Sequence, residues 1–166
     1  MMNRSVRQYI GIITAIVIYY IIHEGAHLLV ALYYGVFKKI NFMGLGVQVD
    51  VYHTQMSDVQ MGIFCLVGAI ATLACSWLLI LLCKPICEAK SKIFRTIAWY
   101  TSLVMLLLDP LYLSVLCGFF GGGDMNGIAL LWQEWIIRAF FAGIGLIHAL
   151  VIFRYLFPQY TKSFAE

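Results

Sequence analysis

Charged residues are unusually scarce in this sequence. Only 11% of the residues are charged and 63% are hydrophobic, whereas a soluble globular domain has about a quarter charged and about half apolar residues. A chain of 166 residues has too little interior to hide so much apolar surface from water. With a mean hydropathy of +0.90, the sequence predicts a protein embedded in the lipid bilayer, and its length predicts a single domain over residues 1–166.

The sequence also lacks a strongly basic cluster and a paired-cysteine metal motif. Its net charge of +3 is spread along the chain, which argues against nucleic acid as a partner. The five cysteines match no CxxC spacing, so we interpret them as small buried apolar residues. We therefore assign no zinc-thiolate role to Cys83 and Cys87.

Long apolar runs, in contrast, are abundant. A helix needs about 20 apolar residues to cross the hydrocarbon layer, and four segments reach this length: residues 9–34, 61–83, 93–120 and 135–157. The first segment continues past the length of a signal-peptide core, so we interpret it as a retained span. The predicted fold is an all-α polytopic membrane protein with about four transmembrane helices.

A different pattern separates the first two spans. Gly44-Leu45-Gly46 is followed by residues 47–52, in which valine alternates with Gln48, Asp50 and Tyr52. This alternation is typical of a strand or a short β-hairpin. Because an unpaired sheet edge is costly in lipid, we expect a membrane-associated hairpin at the interface or shielded by protein. It is either a surface loop or an edge to which a substrate peptide adds as a strand.

The third span contains a proline and is followed by glycine-rich backbone. Pro110 removes a helical hydrogen bond, so we expect a break or kink next to Asp109. Residues 121–127 then read GGGDMNG and carry Asp124. Broken backbone at membrane depth is tolerated only where protein or a water-filled cavity surrounds it, so this region is expected to line a site.

The first span carries the sequence His-Glu-Gly-Ala-His at residues 23–27. His23 and His27 are four residues apart, so on a helix they lie about 40° apart on one face and can bind one zinc ion. HExxH on a helix is a metalloprotease signature in which the glutamate, here Glu24, is the general base. Three ionisable groups in a lipid-spanning helix also indicate function by default. The alternative is a polar patch that joins helices through hydrogen bonds.

Catalytic zinc takes three protein ligands and leaves one position for water, so a third ligand is needed. Asp124, framed by glycines, is our first choice because it can approach a metal without steric conflict. Asp109 is the alternative third ligand, or it orients a histidine by a hydrogen bond from outside the ligand set. We interpret His148 in the fourth span as a packed histidine rather than a ligand.

On these residues the chain resembles the site-2 protease family of intramembrane zinc metalloproteases. Residues 23–27 match the HExxH helix of that family, and residues 42–52 fall where its members carry a membrane-associated hairpin. Residues 66–71 (LVGAIA) are similar to the small-residue second core helix. Gly123-Asp124 is similar to the aspartate-glycine ligand motif.

The resemblance covers residues 9–130 and leaves residues 135–157 as an additional C-terminal helix. It implies a zinc ion held by His23, His27 and Asp124, and hydrolysis of peptide bonds in membrane-spanning or membrane-associated proteins. A substrate helix would have to unwind to present its peptide bond. Alternatives are an inactive relative that binds membrane helices and a metal-dependent hydrolase of lipidated peptides.

The distribution of basic residues predicts the orientation of the chain. Most of them lie in the amino terminus, the second loop and the carboxyl tail: Arg4, Arg7, Lys84, Lys90, Lys92, Arg95, Arg154 and Lys162. The opposite side holds Lys38, Lys39 and Arg138. Since basic loops favour the cytoplasm, we expect a multi-pass protein with both termini cytoplasmic.

Overall fold

A computed structural model describes residues 3–43, 46–119 and 122–165 of a predominantly helical protein. Its helices are α1 (Arg4–Tyr33), α2 (Asp58–Leu81), α3 (Cys83–Glu88), α4 (Lys92–Ser114), α5 (Asp124–Ile128), α6 (Glu134–Val151) and α7 (Phe157–Ala165). The strands are β1 (Phe37–Met43) and β2 (Gly46–Val51), which pair antiparallel. A π-helical turn at Ile152–Leu156 joins α6 to α7.

Within the described residues, four helices are long and apolar enough to cross a membrane: α1, α2, α4 and the continuous helix Glu134–Ala165. The predicted number of long apolar helices is therefore confirmed. α1 and α2 begin earlier than their apolar runs because polar caps extend them. Asn3 Oδ1 accepts from the Ser5 amide at 3.1 Å, and Ser57 forms a capping box with Gln60 at the start of α2. The fourth helix also continues past residue 157, the end predicted from its apolar run.

A break or kink was predicted at Pro110, and the break is wrong for the part of α4 that the structure describes. The helix continues through Pro110 and ends at Ser114, short of the predicted end at residue 120, which lies outside the described residues. Proline cannot donate to the carbonyl four residues earlier, which is that of Leu106. His148 Nδ1 lies 2.7 Å from this carbonyl and donates to it instead. His148 therefore has the packing role expected of it.

The predicted hairpin is present as the strand pair β1–β2. Its register pairs Ile40 with Val49 and Phe42 with Val47. Val49 and Val51 are buried while Gln48 is exposed, as the alternation predicts. Gly44 and Leu45, at the predicted turn, lie outside the described residues. The structure therefore confirms the strands and places the buried face of β2 towards the helices.

The helices pack so that polar groups are inside and many large apolar side chains are outside. α1 packs against α2 and α4, and α4 packs against α6. Thr72, Ser102 and Asp109 are almost completely buried, whereas Leu81 and Leu146 are 76% and 70% exposed. Apolar outward faces around a partly polar interior are suited to lipid rather than water as the surrounding solvent. The polar interior is where α1, α2, α4 and α5 meet.

Candidate metal centre

The two histidines of the HExxH sequence lie on one buried face of α1. Their ring centroids are 4.8 Å apart, and both side chains are almost inaccessible to solvent. This follows from their spacing, because residues four apart on a helix stack one turn above the other. Suitable ligand atoms of His23, Glu24 and His27 all lie within 4.8 Å of one another. This His–Glu–His group could hold a metal ion.

Helix α2 approaches the imidazoles closely because residue 68 is glycine. A Cβ atom at Gly68 would lie 2.5 Å from His27 Nε2 and 2.7 Å from His23 Nε2. Neither distance is compatible with a real side chain, so any larger residue would displace the rings. Gly68 belongs to the small-residue run at residues 66–71, but the sequence alone did not indicate which of its members faces the histidines.

Asp124 reaches the same two nitrogens from the opposite side of the site. Its Oδ2 lies 3.2 Å from His23 Nε2 and 3.6 Å from His27 Nε2. It is the first residue of α5, directly after Gly123, whose φ of +42° is a conformation that side-chain-bearing residues rarely adopt. Asp124 therefore places a carboxylate oxygen beside two imidazole nitrogens.

Asp109 lies on the other side of His23, away from these Nε2 atoms. Its Oδ1 is 3.4 Å from His23 Nδ1 and accepts a hydrogen bond of 2.5 Å from the Tyr19 hydroxyl. Its Oδ2 accepts a hydrogen bond from the Thr72 hydroxyl. Both carboxylate oxygens of Asp109 therefore have hydrogen-bond donors, and Oδ1 lies beside His23 Nδ1. Which of the two predicted roles Asp109 has stays a prediction.

The Nδ1 atoms of both histidines have acceptors, and this fixes the direction of the Nε2 lone pairs. His27 Nδ1 lies 2.6 Å from the Phe64 carbonyl and donates to it. His23 Nδ1 lies 3.2 Å from the Tyr19 oxygen, whose own proton is directed to Asp109. When Nδ1 carries the proton, Nε2 is free to bind a metal. Both Nε2 lone pairs are then available on the side of Asp124.

Glu24 lies next to the histidines, and its carboxylate is held by the hairpin. Its Oε2 accepts a hydrogen bond of 2.9 Å from the Val49 amide of β2. An ion pair joins the two strands of the hairpin: Lys38 Nζ of β1 lies 3.0 Å from Asp50 Oδ2 of β2. The hydrogen bond from Lys38 lowers the pKa of the half-buried Asp50 carboxyl. The strand pair therefore positions the carboxylate of the predicted general base.

An apolar groove of about 570 Å³ runs along α1 beside Glu24. One wall is the outward face of α1, including Val17 and Ile21, and the other is the hairpin, including Ile40 and Val47. Among the described residues that line the groove, Glu24 is the only charged one. An apolar segment in this groove would pass next to the HExxH residues.

The structure brings together four of the predicted site residues (His23, Glu24, His27 and Asp124) and places Asp109 behind His23. Sequence reasoning missed Tyr19, Thr72 and Gly68. Tyr19 could have been found, because it precedes His23 by four residues and so lies on the same face of α1. Thr72 and Gly68 belong to α2, which is mostly apolar on all sides. Its sequence pattern therefore does not indicate which face packs against α1.

Comparisons of this chain with protein-family models, with curated proteins and with solved structures found no match.

Proposed function

We propose that this protein is an intramembrane zinc metalloendopeptidase of the site-2 protease type. The observation that carries the proposal is the convergence of His23 Nε2 and His27 Nε2 on the Asp124 carboxylate, at 3.2 and 3.6 Å. Glu24 lies beside this group at the edge of an apolar groove. A metallopeptidase needs metal ligands and a base. Here the two imidazoles and the Asp124 carboxylate would be the ligands, and Glu24 would be the base.

The charge of the site supports a divalent cation. Asp109 is almost completely buried, Asp124 and Glu24 are partly buried, and no described lysine or arginine forms an ion pair with them. Buried carboxylates are costly unless they are paired with positive charge or coordinate a metal. Imidazole and carboxylate donors in a three-ligand site suit zinc. His23, His27 and Asp124 would hold the ion.

The residues around this site divide the chemical work between them. When bound, zinc acts as a Lewis acid on the substrate carbonyl and lowers the pKa of water. Val49 fixes Glu24 through Oε2, while Oε1 has no hydrogen-bond partner among the described residues. Oε1 is thus available to accept a proton from water and to return it to the leaving amine. Asp109 and Tyr19 keep His23 in one tautomer throughout.

The apolar groove supports a membrane-embedded polypeptide as substrate. Its walls offer almost no polar partners, which suits an apolar segment and disfavours a soluble peptide. A substrate helix must unwind to expose its peptide bond, because its backbone groups are otherwise paired. With α1, α2, α4 and the last helix spanning the bilayer, basic loops would place both termini in the cytoplasm.

Reconstituted protein tests this proposal. We expect purified protein in liposomes to cleave labelled single-span peptides whose apolar helix contains a Gly-Pro break, and to lose cleavage on zinc chelation. Glu24→Gln should lower the rate by about 10²–10⁴-fold while leaving bound zinc unchanged, because it removes the base and no ligand. Glu88→Gln, which removes an exposed acid from α3, is the matched control and should leave the rate unchanged.

Two results would contradict the proposal. Equal cleavage by Glu24→Gln and the wild-type protein would exclude the assigned base. Zinc binding without cleavage of any peptide in the panel would instead favour a relative that binds membrane helices without cutting them.

A further inference from the structure

A second cavity, of about 500 Å³, lies far from the candidate metal centre. It is formed by the first turns of α1, the second and third turns of α4, and α7, and its lining includes Arg4, Arg7, Thr96, Trp99 and Phe164. Thr96 precedes Asp109 by thirteen residues on α4, which corresponds to about 20 Å along the helix. The cavity is therefore a separate site.

Among the described residues, this cavity is lined by positive charge and by no acid. Arg4 and Arg7 line it, and none of the described residues that line it is acidic. The guanidinium of Arg7 lies 5.9 Å from the centroid of the Phe164 ring, and that of Arg95 lies 5.7 Å from the same centroid. Two guanidinium groups therefore lie within 6 Å of the centre of one ring beside the cavity.

Arg95 adds a buried positive charge next to the cavity, since it is only 6% exposed. Its Nη1 donates to the carbonyl of Ser163 at 2.6 Å and to the Ser163 hydroxyl at 2.8 Å, both of which are neutral acceptors. The Nε atoms of Arg95 and Arg7 are buried and have no hydrogen-bond partner among the described residues. A buried guanidinium ordinarily pairs with an anion, and the described chain supplies none.

The amino-terminal end of α1 adds to this positive potential. α1 begins at the cavity with Arg4, and it has no acidic residue in its first turn. A helix amino terminus is equivalent to about half a positive charge, which attracts anions. The end of α1 and the arginines therefore act in the same direction on whatever occupies the cavity.

Aromatic side chains also line the cavity, as is typical of the boundary between lipid headgroups and acyl chains. Trp99, Tyr100, Phe157 and Tyr160 line the cavity next to the arginines. Aromatic rings are enriched where lipid headgroups meet the hydrocarbon, and basic pockets between helices on the cytoplasmic side bind anionic headgroups. We propose that this cavity binds the phosphate headgroup of an anionic membrane lipid, with Arg7 as the principal contact and Arg4 at the mouth. The proposal requires the helices to lie in a membrane but does not depend on peptidase activity.

Native mass spectrometry of the full chain in an uncharged maltoside detergent tests this assignment. The protein is titrated with dioctanoyl phosphatidylglycerol, with dioctanoyl phosphatidylcholine and with inorganic phosphate. We expect the anionic lipid to bind at least tenfold more tightly than the zwitterionic one, and inorganic phosphate to displace neither. Equal binding of the two lipids would overturn the proposal. Displacement of the anionic lipid by equimolar inorganic phosphate would overturn the assignment to a lipid.

Substitutions then locate the binding site. Arg4→Gln should weaken binding of the anionic lipid by about fivefold, the contribution of one cation near the membrane surface. Arg7→Gln should weaken it by about tenfold, because Arg7 is the principal contact. Lys84→Gln is the matched control, because it removes one exposed cation from α3, which packs against α7, and lies outside the cavity lining. Equal losses in all three variants would show general charge attraction and overturn the site. If Arg7→Gln fails to fold, exposed Arg4 still gives the comparison with Lys84.

A final arm separates this proposal from the proposed peptidase. The lipid titration is repeated with Glu24→Gln protein and with a zinc chelator present. Lipid binding should be unchanged in both cases, because the cavity and the metal centre share no residue. Loss of lipid binding on chelation would contradict an independent site.

Discussion

The two histidines of the candidate metal centre are supported in different ways. His27 Nδ1 donates to the main-chain carbonyl of Phe64 at 2.6 Å. His23 Nδ1 instead meets side chains: the Tyr19 hydroxyl at 3.2 Å and the Asp109 carboxylate at 3.4 Å. Any residue at position 64 provides a carbonyl, so substitution cannot remove the support of His27. The support of His23 depends on residue identity, which makes this half of the site the one that mutation can alter selectively.

The difference also affects the electronic properties of the two rings. The Asp109 carboxyl accepts from the Tyr19 hydroxyl that lies beside His23 Nδ1, and carboxylate partners of this kind strengthen a histidine as a metal ligand. The Phe64 carbonyl is neutral and has a smaller influence on His27. We therefore expect variants to affect zinc binding in an order set by how directly they act on each ring, beginning with a change that acts on both.

Gly68→Ala should lower zinc affinity most, because the added methyl group displaces both histidine rings at once. The added methyl group would lie 2.5 Å from His27 Nε2, so both rings must move by roughly 1 Å, beyond the ≈0.5 Å tolerance of a functional site. We expect zinc affinity to fall by more than about 100-fold, as measured by chelator competition. Gly25→Ala is the control, since nothing lies within 4 Å of a Cβ at Gly25. Equal zinc affinity in both variants would contradict the close approach of α2.

Asp109→Asn should weaken zinc binding by about 10–100-fold, the range for a lost partner of a ligating histidine. The amide keeps the shape of the side chain but removes its charge, and it can no longer accept hydrogen bonds on both sides. Because His23, His27 and Asp124 remain, zinc should still bind at high concentration. Complete loss at saturating zinc would make Asp109 a ligand and invalidate the comparison.

Tyr19→Phe should have a smaller effect, because Asp109 remains 3.4 Å from His23 Nδ1. The variant removes one hydroxyl that accepts from the histidine and donates to the carboxylate. A hydrogen bond of this kind contributes about 1 kcal/mol, so we expect about a fivefold loss of zinc affinity by calorimetric titration. Tyr20→Phe is the control on the same helix. Equal losses in these two variants would show that Tyr19 does not support His23.

Phe64→Leu should change zinc affinity least, within about twofold, because the acceptor of His27 is main chain. The Phe64 ring also contacts His27, with centroids 4.9 Å apart. Thermal unfolding should therefore show a stability loss of about 1 kcal/mol while zinc binding persists. A loss of affinity as large as that of Asp109→Asn would mean that the two histidines are not supported differently.

The sequence predicted local features of this protein better than contacts between distant segments. The spacing of His23 and His27 is a property of one helix, and the alternation in β2 is a property of one strand, so both could be anticipated. The choice between Asp109 and Asp124 depends on how α4 and α5 meet α1, which no local pattern encodes. Both acids are near apolar segments, and only the fold separates the Nε2 side from the Nδ1 side.

The break predicted in α4 at Pro110 was wrong for a similar reason. The rule that proline interrupts a helix is local, and it correctly identifies the Leu106 carbonyl as missing a donor. The replacement donor, His148, comes from α6, 42 residues away in sequence. A distant side chain thus accommodates a local defect. Tyr19 is the opposite case, since its position one turn before His23 was available from the sequence alone.

Metal content of the purified protein tests the central proposal most directly, measured by plasma mass spectrometry for the wild type and Asp124→Asn. We predict about one zinc per chain in the wild type, held by two histidines and one aspartate, and its loss in Asp124→Asn. Folding is checked by helical content and elution volume. A wild-type protein that binds no metal after incubation with zinc, or an Asp124→Asn variant that retains it fully, would contradict the assignment of the site.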